Sequence, residues 1–599
     1  MRIAAAIASV VAAVALLFSL ALLWFAPAPI VDVEESGTHI IFSASQPIIL
    51  DRCGQVRWQV DNNSGVWVNG VGVASEGITS TCIDRHFTRP QISVLLPDGN
   101  WRLYELPVTS LIYSGPTALT FALRFTLAGL LLLLAARLAG WRFPTIAVGA
   151  RRVMPTPKIS LALCAFLWLI YIAANLYLRL NTPITSAPAE AYITSTTIQQ
   201  AWDSAERPIT IPLLYKLLHN DFEAIASLQW AVSLLSWSAL AGVTLLYQSG
   251  CVCWPARCFL ALRLARDVYF WNSVLISESL SQSLFILLLA LGMFALWVYR
   301  RWSNRDVQAS LRLSLVTQIA AAFWIILLTV IWSFTRDTNS YLVLAMGLLL
   351  AAGVAWFLLR SKGRAARLLL LPSLLALAFV ALFLFQSADA NRGLRWRYPL
   401  MNIIARRVLP YPENTAFFAA RGMPTTPDVM RFAGQFAWAY DLSPIEPWLT
   451  QDSRRVYLQF LLSDPLATVL APINQWEMLL LFDYRVIDEH RPDIVLPSWI
   501  ETLTGFAYPE HLGLVIVSIV GLLLLALWAW RAPDVRLAIV FVLLLLLYPL
   551  AFMVWYGDGF AVERHAVPSA LQWRLTLWLS IVFALDALSS RSKLRLSRL

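Results

Sequence analysis

The sequence predicts a polytopic α-helical membrane protein of about twelve spans, with a small β-sandwich insert and a helical subdomain outside the membrane. Hydrophobic residues make up 59% of the 599-residue chain and charged residues only 14%, whereas a soluble domain carries about 25% charged residues. Several apolar stretches are longer than the roughly 18 residues needed to cross hydrocarbon. Lys and Arg cluster between these stretches, so the net charge of +10 indicates membrane orientation rather than nucleic-acid binding.

Each predicted span is an apolar run bounded by polar or charged residues. The spans are 3–26, 117–139, 159–179, 223–247, 255–275, 279–299, 313–333, 340–359, 367–386, 511–530, 536–556 and 569–588. The fifth carries Arg263, Arg266 and Asp267, which are costly at membrane depth unless the bundle buries them. Without this span, every later segment would change sides of the membrane.

Basic clusters orient the chain. Those that follow the second, sixth, eighth and tenth spans, and the basic tail, all fall on one side, which the positive-inside rule assigns to the cytoplasm. Both termini are therefore expected in the cytoplasm of a plasma (inner) membrane protein. Residues 1–26 are expected to be an uncleaved anchor, because the apolar run is long and has no clear small-residue cleavage site. We divide the remainder into a membrane bundle at 117–386 and C-terminal spans with the basic tail at 511–599.

The first extracytoplasmic segment, 27–116, reads as a β module. Alternating runs such as Val56–Val60 and Gln91–Leu96 are separated by turn residues, which is typical of short strands in a sandwich. Its cysteines are spaced loosely like those of an immunoglobulin-like module. A Cys53–Cys82 disulfide is plausible in an oxidising compartment. The module would bind a glycan or a partner, or act as a structural lid on the bundle.

Residues 387–510 are too long for a plain connector. Short helical patterns alternate with prolines there, so we expect a compact, mostly helical extracytoplasmic subdomain.

The loop at 180–222 is too polar for hydrocarbon and carries Glu190, Tyr192, Asp203, Glu206 and Arg207. Glu190 follows a helix-capping Thr185 or Ser186, so it could simply complement a helix dipole. Alternatively, desolvation at the membrane surface could raise its pKa and make it a general base.

Three further polar segments lie between spans on the same predicted side. They are Ile276-Ser277-Glu278-Ser279-Leu280-Ser281, Phe334-Thr335-Arg336-Asp337-Thr338-Asn339 and Gly557-Asp558-Gly559-Phe560-Ala561-Val562-Glu563-Arg564-His565. Arginines near a phosphate stabilise developing negative charge, and a histidine can position a phosphate or an acceptor. The simpler alternatives are a helix-start acid at Glu278, a lipid-headgroup contact at Arg207 and a solvated turn at His565.

The order of these segments resembles the GT-C superfamily of integral-membrane glycosyltransferases, which are dolichyl-phosphate-mannose mannosyltransferase-like and use polyprenyl-phosphate sugars. The resemblance covers about residues 159–386 and is carried by Glu190-Ala191-Tyr192, by the segment from Arg207-Pro208 to Tyr215, by Trp271-Asn272 and by the Ser-Glu and Arg segments above. It implies a GT-C-like bundle.

The resemblance also implies roles for the candidate residues. Glu190 would be the catalytic base, Arg336 and Arg207 would bind the donor phosphate, and Asp337 would orient Arg336 through a bidentate pair. Further substrate contacts would come from Tyr192, Glu278, Arg564 and His565.

Family members often carry two adjacent acids in the first loop, whereas Ala189 precedes Glu190 here. Asp203 or Glu206 is the candidate for the missing carboxylate. We assign no metal ligands, and a divalent cation is left as an alternative cofactor.

The resemblance implies transfer of a hexosyl or pentosyl group from a polyprenyl-phosphate donor to a lipid, glycan or protein acceptor in the cell envelope. A second hypothesis is an oligosaccharide ligase or polymerase, in which Arg406, Arg407, His490 and His565 would dominate. A third is a non-catalytic transporter or scaffold, although the paired repeats typical of transporters are not clear in this chain. No glycine-rich phosphate loop is present, so nucleotide hydrolysis is not indicated.

Overall fold

The computed structural model combines a small β module with a large set of helices. It describes residues 30–44, 53–68, 71–82, 91–106, 130, 158–184, 198–204, 207–247, 254–302, 310–360, 369–437, 441–475, 479–480, 497–509, 511–531, 534–560 and 562–596. The predicted span 3–26 lies outside these residues, as does 117–139 apart from Leu130. Glu190, Tyr192, Glu206 and His490 also lie outside them.

Eight strands form the β module. They are β1 (Ile30–Glu35), β2 (Thr38–Ala44), β3 (Cys53–Val60), β4 (Gly65–Val68), β5 (Val71–Val73), β6 (Glu76–Cys82), β7 (Gln91–Leu95) and β8 (Trp101–Glu105). Two four-stranded sheets have the orders β1-β2-β3-β6 and β5-β4-β7-β8. Every second residue of β2 is buried, as expected for a strand with one face on a core. The two sheets share one core, to which Phe42 and Trp58 come from one sheet and Val66 and Ile92 from the other.

The strand register places Cys53 directly opposite Cys82 in the antiparallel pair of β3 and β6. The disulfide between them stays a prediction. The module contacts the predicted helical subdomain, because Arg102 Nη1 donates to the carbonyl of Pro410 at 2.9 Å.

Helices account for most of the other described residues. They are α1 (Lys158–Asn181), α2 (Ile198–Ser204), α3 (Thr210–Leu217), α4 (Phe222–Leu246), α5 (Trp254–Leu264), α6 (Arg266–Tyr269), α7 (Ser277–Trp302), α8 (Ser310–Ser333), α9 (Asp337–Arg360), α10 (Leu370–Arg392), α11 (Arg397–Ile403), α12 (Pro412–Ala419), α13 (Pro427–Met430), α14 (Glu446–Gln451), α15 (Ser453–Ser463), α16 (Pro465–Asn474), α17 (Ser498–Ala507), α18 (His511–Arg531), α19 (Val535–Gly557) and α20 (Val562–Leu596).

Local sequence explains how α4 begins. His219 and Asn220 have positive φ angles of 54° and 56°, and they turn the chain after α3. Asp221 then accepts hydrogen bonds from the backbone N–H groups of Glu223 and Ala224. A capping carboxylate of this kind satisfies N–H groups that the helix itself leaves unpaired.

Six helices within the described residues are long and apolar enough to cross a membrane. They cover Phe222–Leu246, Ser277–Val298, Asp337–Leu359, Leu370–Arg392, Val535–Gly557 and Arg564–Leu588. Ile319–Ser333 and Ile516–Trp530 are shorter apolar helices. The chain is therefore a helical membrane protein, and the predicted count of about twelve spans stays a prediction.

The predicted fifth span, 255–275, is not one continuous helix. It is divided into α5, α6 and a 3₁₀ helix at Phe270–Ser273. Arg263 is fully buried, its Nε donates to Ser233 Oγ at 2.6 Å, and its guanidinium lies 4.7 Å from the centroid of the Trp230 ring. The helices thus bury this arginine against α4, and α5 ends just after it.

The helices from α11 to α15 pack around a second core. Met401, Ile404, Phe418, Val429 and Leu449 are fully or almost fully buried in it. These helices are short, as the prolines predict. The helices α15 and α16 meet at 87° and together are apolar enough to form a broken or re-entrant span, whereas the sequence predicted only an extracytoplasmic segment there.

Candidate functional site

Glu278 lies at the start of a helix, just after a sharp turn of the chain. The 3₁₀ helix Phe270–Ser273 ends there, and Asn272 braces the turn: its Nδ2 donates to the carbonyls of Val268 and Tyr269, and its Oδ1 accepts from Ser279 Oγ at 3.0 Å. Glu278 therefore lies in the first turn of α7, where its charge suits the helix dipole. Its side chain is only 5% exposed, so its negative charge needs cations nearby.

Arg336 lies in the short turn between α8 and α9, and two amides fix that turn. Asn339 Nδ2 donates to Ser281 Oγ at 2.8 Å and to the carbonyl of Trp332 at 3.0 Å. Gln386 Nε2 donates to the carbonyl of Ser333 at 2.6 Å. The turn is thereby fixed to α7 on one side and to α10 on the other.

These elements bring Glu278 and Arg336 together with the start of α20. Glu278 Oε1 lies 3.6 Å from Arg336 Nη2 and 3.7 Å from Arg564 Nε. Arg336 Nη2 lies 2.8 Å from His565 Nδ1. We call these four residues and Asp558 the Glu278 cluster.

The contacts of His565 define its tautomer. A guanidinium can only donate, so Nδ1 of His565 accepts from Arg336 and the ring hydrogen of a neutral imidazole is assigned to Nε2. That nitrogen lies 3.7 Å from Asp558 Oδ2. Its 3.4 Å contact with Arg564 Nη2 then joins two donors and is not a hydrogen bond.

Asp558 ties the cluster to the helical subdomain. Its Oδ1 accepts from Asn402 Nδ2 and from the backbone N–H of Phe560, both at 2.9 Å. A Cβ at Gly559 would meet the carbonyl oxygen of Asn402 at 2.4 Å, so only glycine permits this approach. The Phe560 ring stacks on Phe436, with centroids 4.2 Å apart.

Within the part of the chain that the structure describes, Glu278 has two arginines as neighbours. Two guanidinium groups face one carboxylate, at distances longer than a direct hydrogen bond. Arg564 Nε is buried and has no hydrogen-bond partner among the described residues. Such loosely held guanidiniums can still bind an anion, because they donate to planar oxyanions in pairs.

A cavity extends from the cluster between α7, α9, α19 and α20. Its polar end is lined by Ser281, Gln282, Arg336, Thr338, Asn339 and His565. Its other walls are Phe285, Ile286, Trp332, Leu342, Leu550, Val554, Pro568, Leu571 and Leu575, with the single amide of Gln572 between the last two. From His565 to Leu575 is ten residues of α20, or about 15 Å along the helix. We call this space the Arg336 cavity; its walls are polar at one end and apolar along its length.

Asp337 does not orient Arg336, contrary to the prediction. Its two carboxylate oxygens lie 2.9 Å and 3.0 Å from Nε and Nη2 of Arg395. The Nη1 of Arg395 also lies 3.0 Å from Asp389 Oδ2, and Arg392 pairs with the other oxygen of Asp389 at 2.6 Å. We call these four residues the Asp389 clamp. The arginine that pairs with Asp337 is thus Arg395, from the segment after α10. The sequence did not predict this pair, because Arg336 is the arginine next to Asp337 in the chain.

The described part of the first loop reaches the Arg336 turn. Thr210 donates from its backbone N–H to the carbonyl of Phe334 at 3.2 Å and from its hydroxyl to that of Ile331 at 3.0 Å. Arg207 is partly buried just before this contact. Asp203 is exposed on α2, and within the described residues it forms no hydrogen bond or ion pair with the Glu278 cluster. The structure thus joins two segments of the resemblance but gives Asp203 no place in the cluster.

Within the described residues, no three His, Cys, Asp or Glu side chains converge to hold a metal ion. The roles of Glu190 and Tyr192 stay predictions, since both lie outside the described residues.

Two of the residues proposed for a ligase or polymerase, Arg406 and Arg407, contact the chain on either side of Asp558. The guanidinium of Arg406 lies 4.7 Å from the centroid of the Phe560 ring. Arg407 stacks on Trp555 at 3.8 Å and donates to its carbonyl.

Asn402 and Gln282 were not among the predicted site residues. Gln282 could have been noticed, since it lies four residues after Glu278 and so on the same helix face.

Comparison of the chain with protein-family models, curated proteins and solved structures finds no match.

Proposed function

We propose that the protein is a membrane glycosyltransferase that moves a hexosyl or pentosyl group from a polyprenyl-phosphate donor to a lipid, glycan or protein acceptor on the extracytoplasmic face. The Arg336 cavity is the observation that carries the proposal. Its cationic end suits a phosphate and its apolar walls suit a prenyl chain, and the two occur in that order along the same helices. An ordinary structural ion pair has no need of a cavity below it that is lined mainly by apolar side chains.

The chemistry needs a base and a cation. The acceptor hydroxyl attacks the anomeric carbon and loses its proton to a carboxylate, for which Glu190 is proposed. The bond between the anomeric carbon and the phosphate oxygen breaks, and polyprenyl phosphate leaves with its negative charge. Arg336 and Arg564 stabilise that charge as it develops. The Arg207 segment, through Thr210, lies beside the Arg336 turn, which is consistent with the first loop covering the reacting groups.

The test uses the purified full-length protein, a panel of polyprenyl-phosphate hexoses and pentoses, and a membrane extract as the acceptor source. Release of polyprenyl phosphate measures turnover. Glu190→Gln is expected to lower turnover by about 10² to 10⁴, the usual contribution of a general base, without reducing expression. Glu223→Gln is the control, because Glu223 is an acid of the same region that is 73% exposed.

The results separate the parts of the proposal. Wild-type turnover in Glu190→Gln would remove Glu190 from the mechanism and leave the donor assignment standing. A wild-type protein that neither binds a prenyl phosphate nor releases one from any donor contradicts the proposal as a whole.

The alternative of an oligosaccharide ligase or polymerase is favoured by one observation, the contact of Arg406 with Phe560 beside the cluster. In that case Arg406→Gln and His565→Gln would abolish activity, and Glu190→Gln would not. The same variants therefore distinguish the two reactions.

A further inference from the structure

Gln282 is a buried donor that faces the Arg336 cavity without a partner. The residue is 8% exposed and lines the cavity. Its Nε2 has no hydrogen-bond partner among the described residues. A buried amide in this state is destabilising, so a group that accepts its hydrogen is to be expected when the site is occupied.

The other amides of the cavity are already satisfied. Gln572 Nε2 donates to the carbonyl of Leu543 at 2.8 Å. Asn339 Nδ2 has the carbonyl of Trp332 and two hydroxyl oxygens within 3.0 Å. Within the described lining, Gln282 is thus the amide whose donor remains for a ligand.

The position of Gln282 defines what it can reach. It lies four residues after Glu278 on α7, or about 6 Å further along the helix axis. Three residues later the same face reaches Phe285, in the apolar walls. A prenyl phosphate with its phosphate at Arg336 would therefore place the junction of phosphate and chain beside Gln282.

We infer that Gln282 donates a hydrogen bond to the ester oxygen that joins the phosphate to the prenyl chain. This inference rests on the proposed donor lipid and adds a positioning residue to it. A neutral amide matches an ester oxygen, which carries less charge than the terminal phosphate oxygens. Those oxygens are left to Arg336 and Arg564, and Gln282 fixes how deep the lipid lies in the cavity.

The experiment compares two ligands that differ only at this oxygen. A C15 prenyl phosphate has the ester oxygen, and the matching prenyl phosphonate has a CH₂ group in its place. Wild-type protein in detergent is expected to bind the phosphate about tenfold more tightly than the phosphonate, the ratio expected for one lost hydrogen bond. Gln282→Met, which keeps the volume and removes the donor, is expected to bind both ligands equally and as weakly as the wild type binds the phosphonate.

Gln229→Met is the matched control. Gln229 is 1% exposed and its amide is also without a partner among the described residues, but it does not line the Arg336 cavity. This variant is expected to keep the tenfold preference. Thermal unfolding of each variant establishes that it is folded before binding is measured.

Each outcome has a definite meaning. Equal wild-type affinity for the two ligands, with Arg336→Gln weakening both, overturns the role of Gln282 and preserves the donor assignment. A preference that survives in Gln282→Met has the same consequence. Failure of the wild type to bind either ligand overturns this inference together with the donor assignment.

Discussion

The Glu278 cluster and the Asp389 clamp are neighbouring sets of arginines and carboxylates with opposite geometry. In the clamp, Arg395 makes a bidentate pair with Asp337 and a further pair with Asp389, all at 2.9 to 3.0 Å. In the cluster, both arginines lie 3.6 to 3.7 Å from Glu278. The clamp holds its arginines in direct hydrogen bonds to carboxylates, whereas the cluster leaves a gap between each arginine and Glu278. The tight ion pairs of the clamp hold the end of α10 in place. The arginines of the cluster lie beside the Arg336 cavity and are further from their carboxylate, which suits the binding of an anionic ligand.

Each set has two arginines and two carboxylates, so the distinction lies in which groups are paired. The clamp has two arginines for two aspartates, and Arg395 is only 4% exposed. The cluster has two arginines on Glu278, while its second carboxylate, Asp558, faces His565 and Asn402. Function is therefore assigned to the set that is less well satisfied.

The largest effect that tests this comparison is on turnover. Arg336→Gln is expected to lower the rate of polyprenyl-phosphate release by about 10² to 10³, the usual cost of removing one donor that stabilises transition-state charge. The unfolding temperature should change little, because Glu278 keeps Arg564. Arg336→Lys restores the charge but not the planar fork, so it should recover only part of the rate.

A particular pattern of results would overturn this assignment. If Arg336→Gln kept its turnover and lost as much stability as a clamp variant, the cluster would be a structural ion pair. The loose geometry would then have no functional meaning.

The second effect is on stability and concerns the clamp. Arg395→Met leaves two aspartates short of a cation, and breaking a buried pair of this kind costs about 3 to 5 kcal/mol. A clearly lower unfolding temperature in detergent is the expected result. Arg455→Met is the control, since Arg455 pairs with Asp452 at 2.7 Å but is 67% exposed, and exposed pairs contribute about 0 to 1 kcal/mol. Equal losses in the two variants would refute the view that burial decides the role of an ion pair.

Long apolar runs were predictable from the sequence. The predicted spans 340–359 and 536–556 correspond to α9 (Asp337–Arg360) and α19 (Val535–Gly557). Such a run has few alternatives to a helix in hydrocarbon, where every backbone polar group must be paired within the segment. The short strands were also foreseeable, because strict alternation follows from a sheet with one buried face.

Partners of the charged residues were not predictable. Asp337 stands next to Arg336 in the sequence, yet it pairs with Arg395, 58 residues away. Arg336 meets His565 across 229 residues. The sequence predicts which segments share a side of the membrane, but helix packing decides which side chains touch. The break after Arg263 is a further case, since the sequence does not reveal that this arginine is paired with Ser233 on α4.

The smallest effect extends the comparison to a tight ion pair at the surface of the β module. Glu35 accepts from Tyr104 at 2.6 Å and pairs with Arg102 at 2.5 Å. Burial raises the pKa of Glu35, but these hydrogen bonds and the charge of Arg102 outweigh it and leave the pKa below its usual value. The pair is therefore stabilising above the unfolded glutamate pKa of about 4.3, and its contribution is lost as the pH falls through the lower folded pKa.

Because the Glu35 side chain is 32% exposed, solvent screening limits this contribution to about 1 kcal/mol or less. Glu35→Gln should lower the unfolding temperature slightly at pH 7 and not at a pH well below 4, and the loss should shrink in high salt. Turnover should not change, because Glu35 contacts Arg102 and Tyr104 and, within the described residues, no member of the Glu278 cluster. A loss as large as that of Arg395→Met would show that a tight pair can dominate stability even where water reaches it, and the contrast between clamp and surface would have to be abandoned.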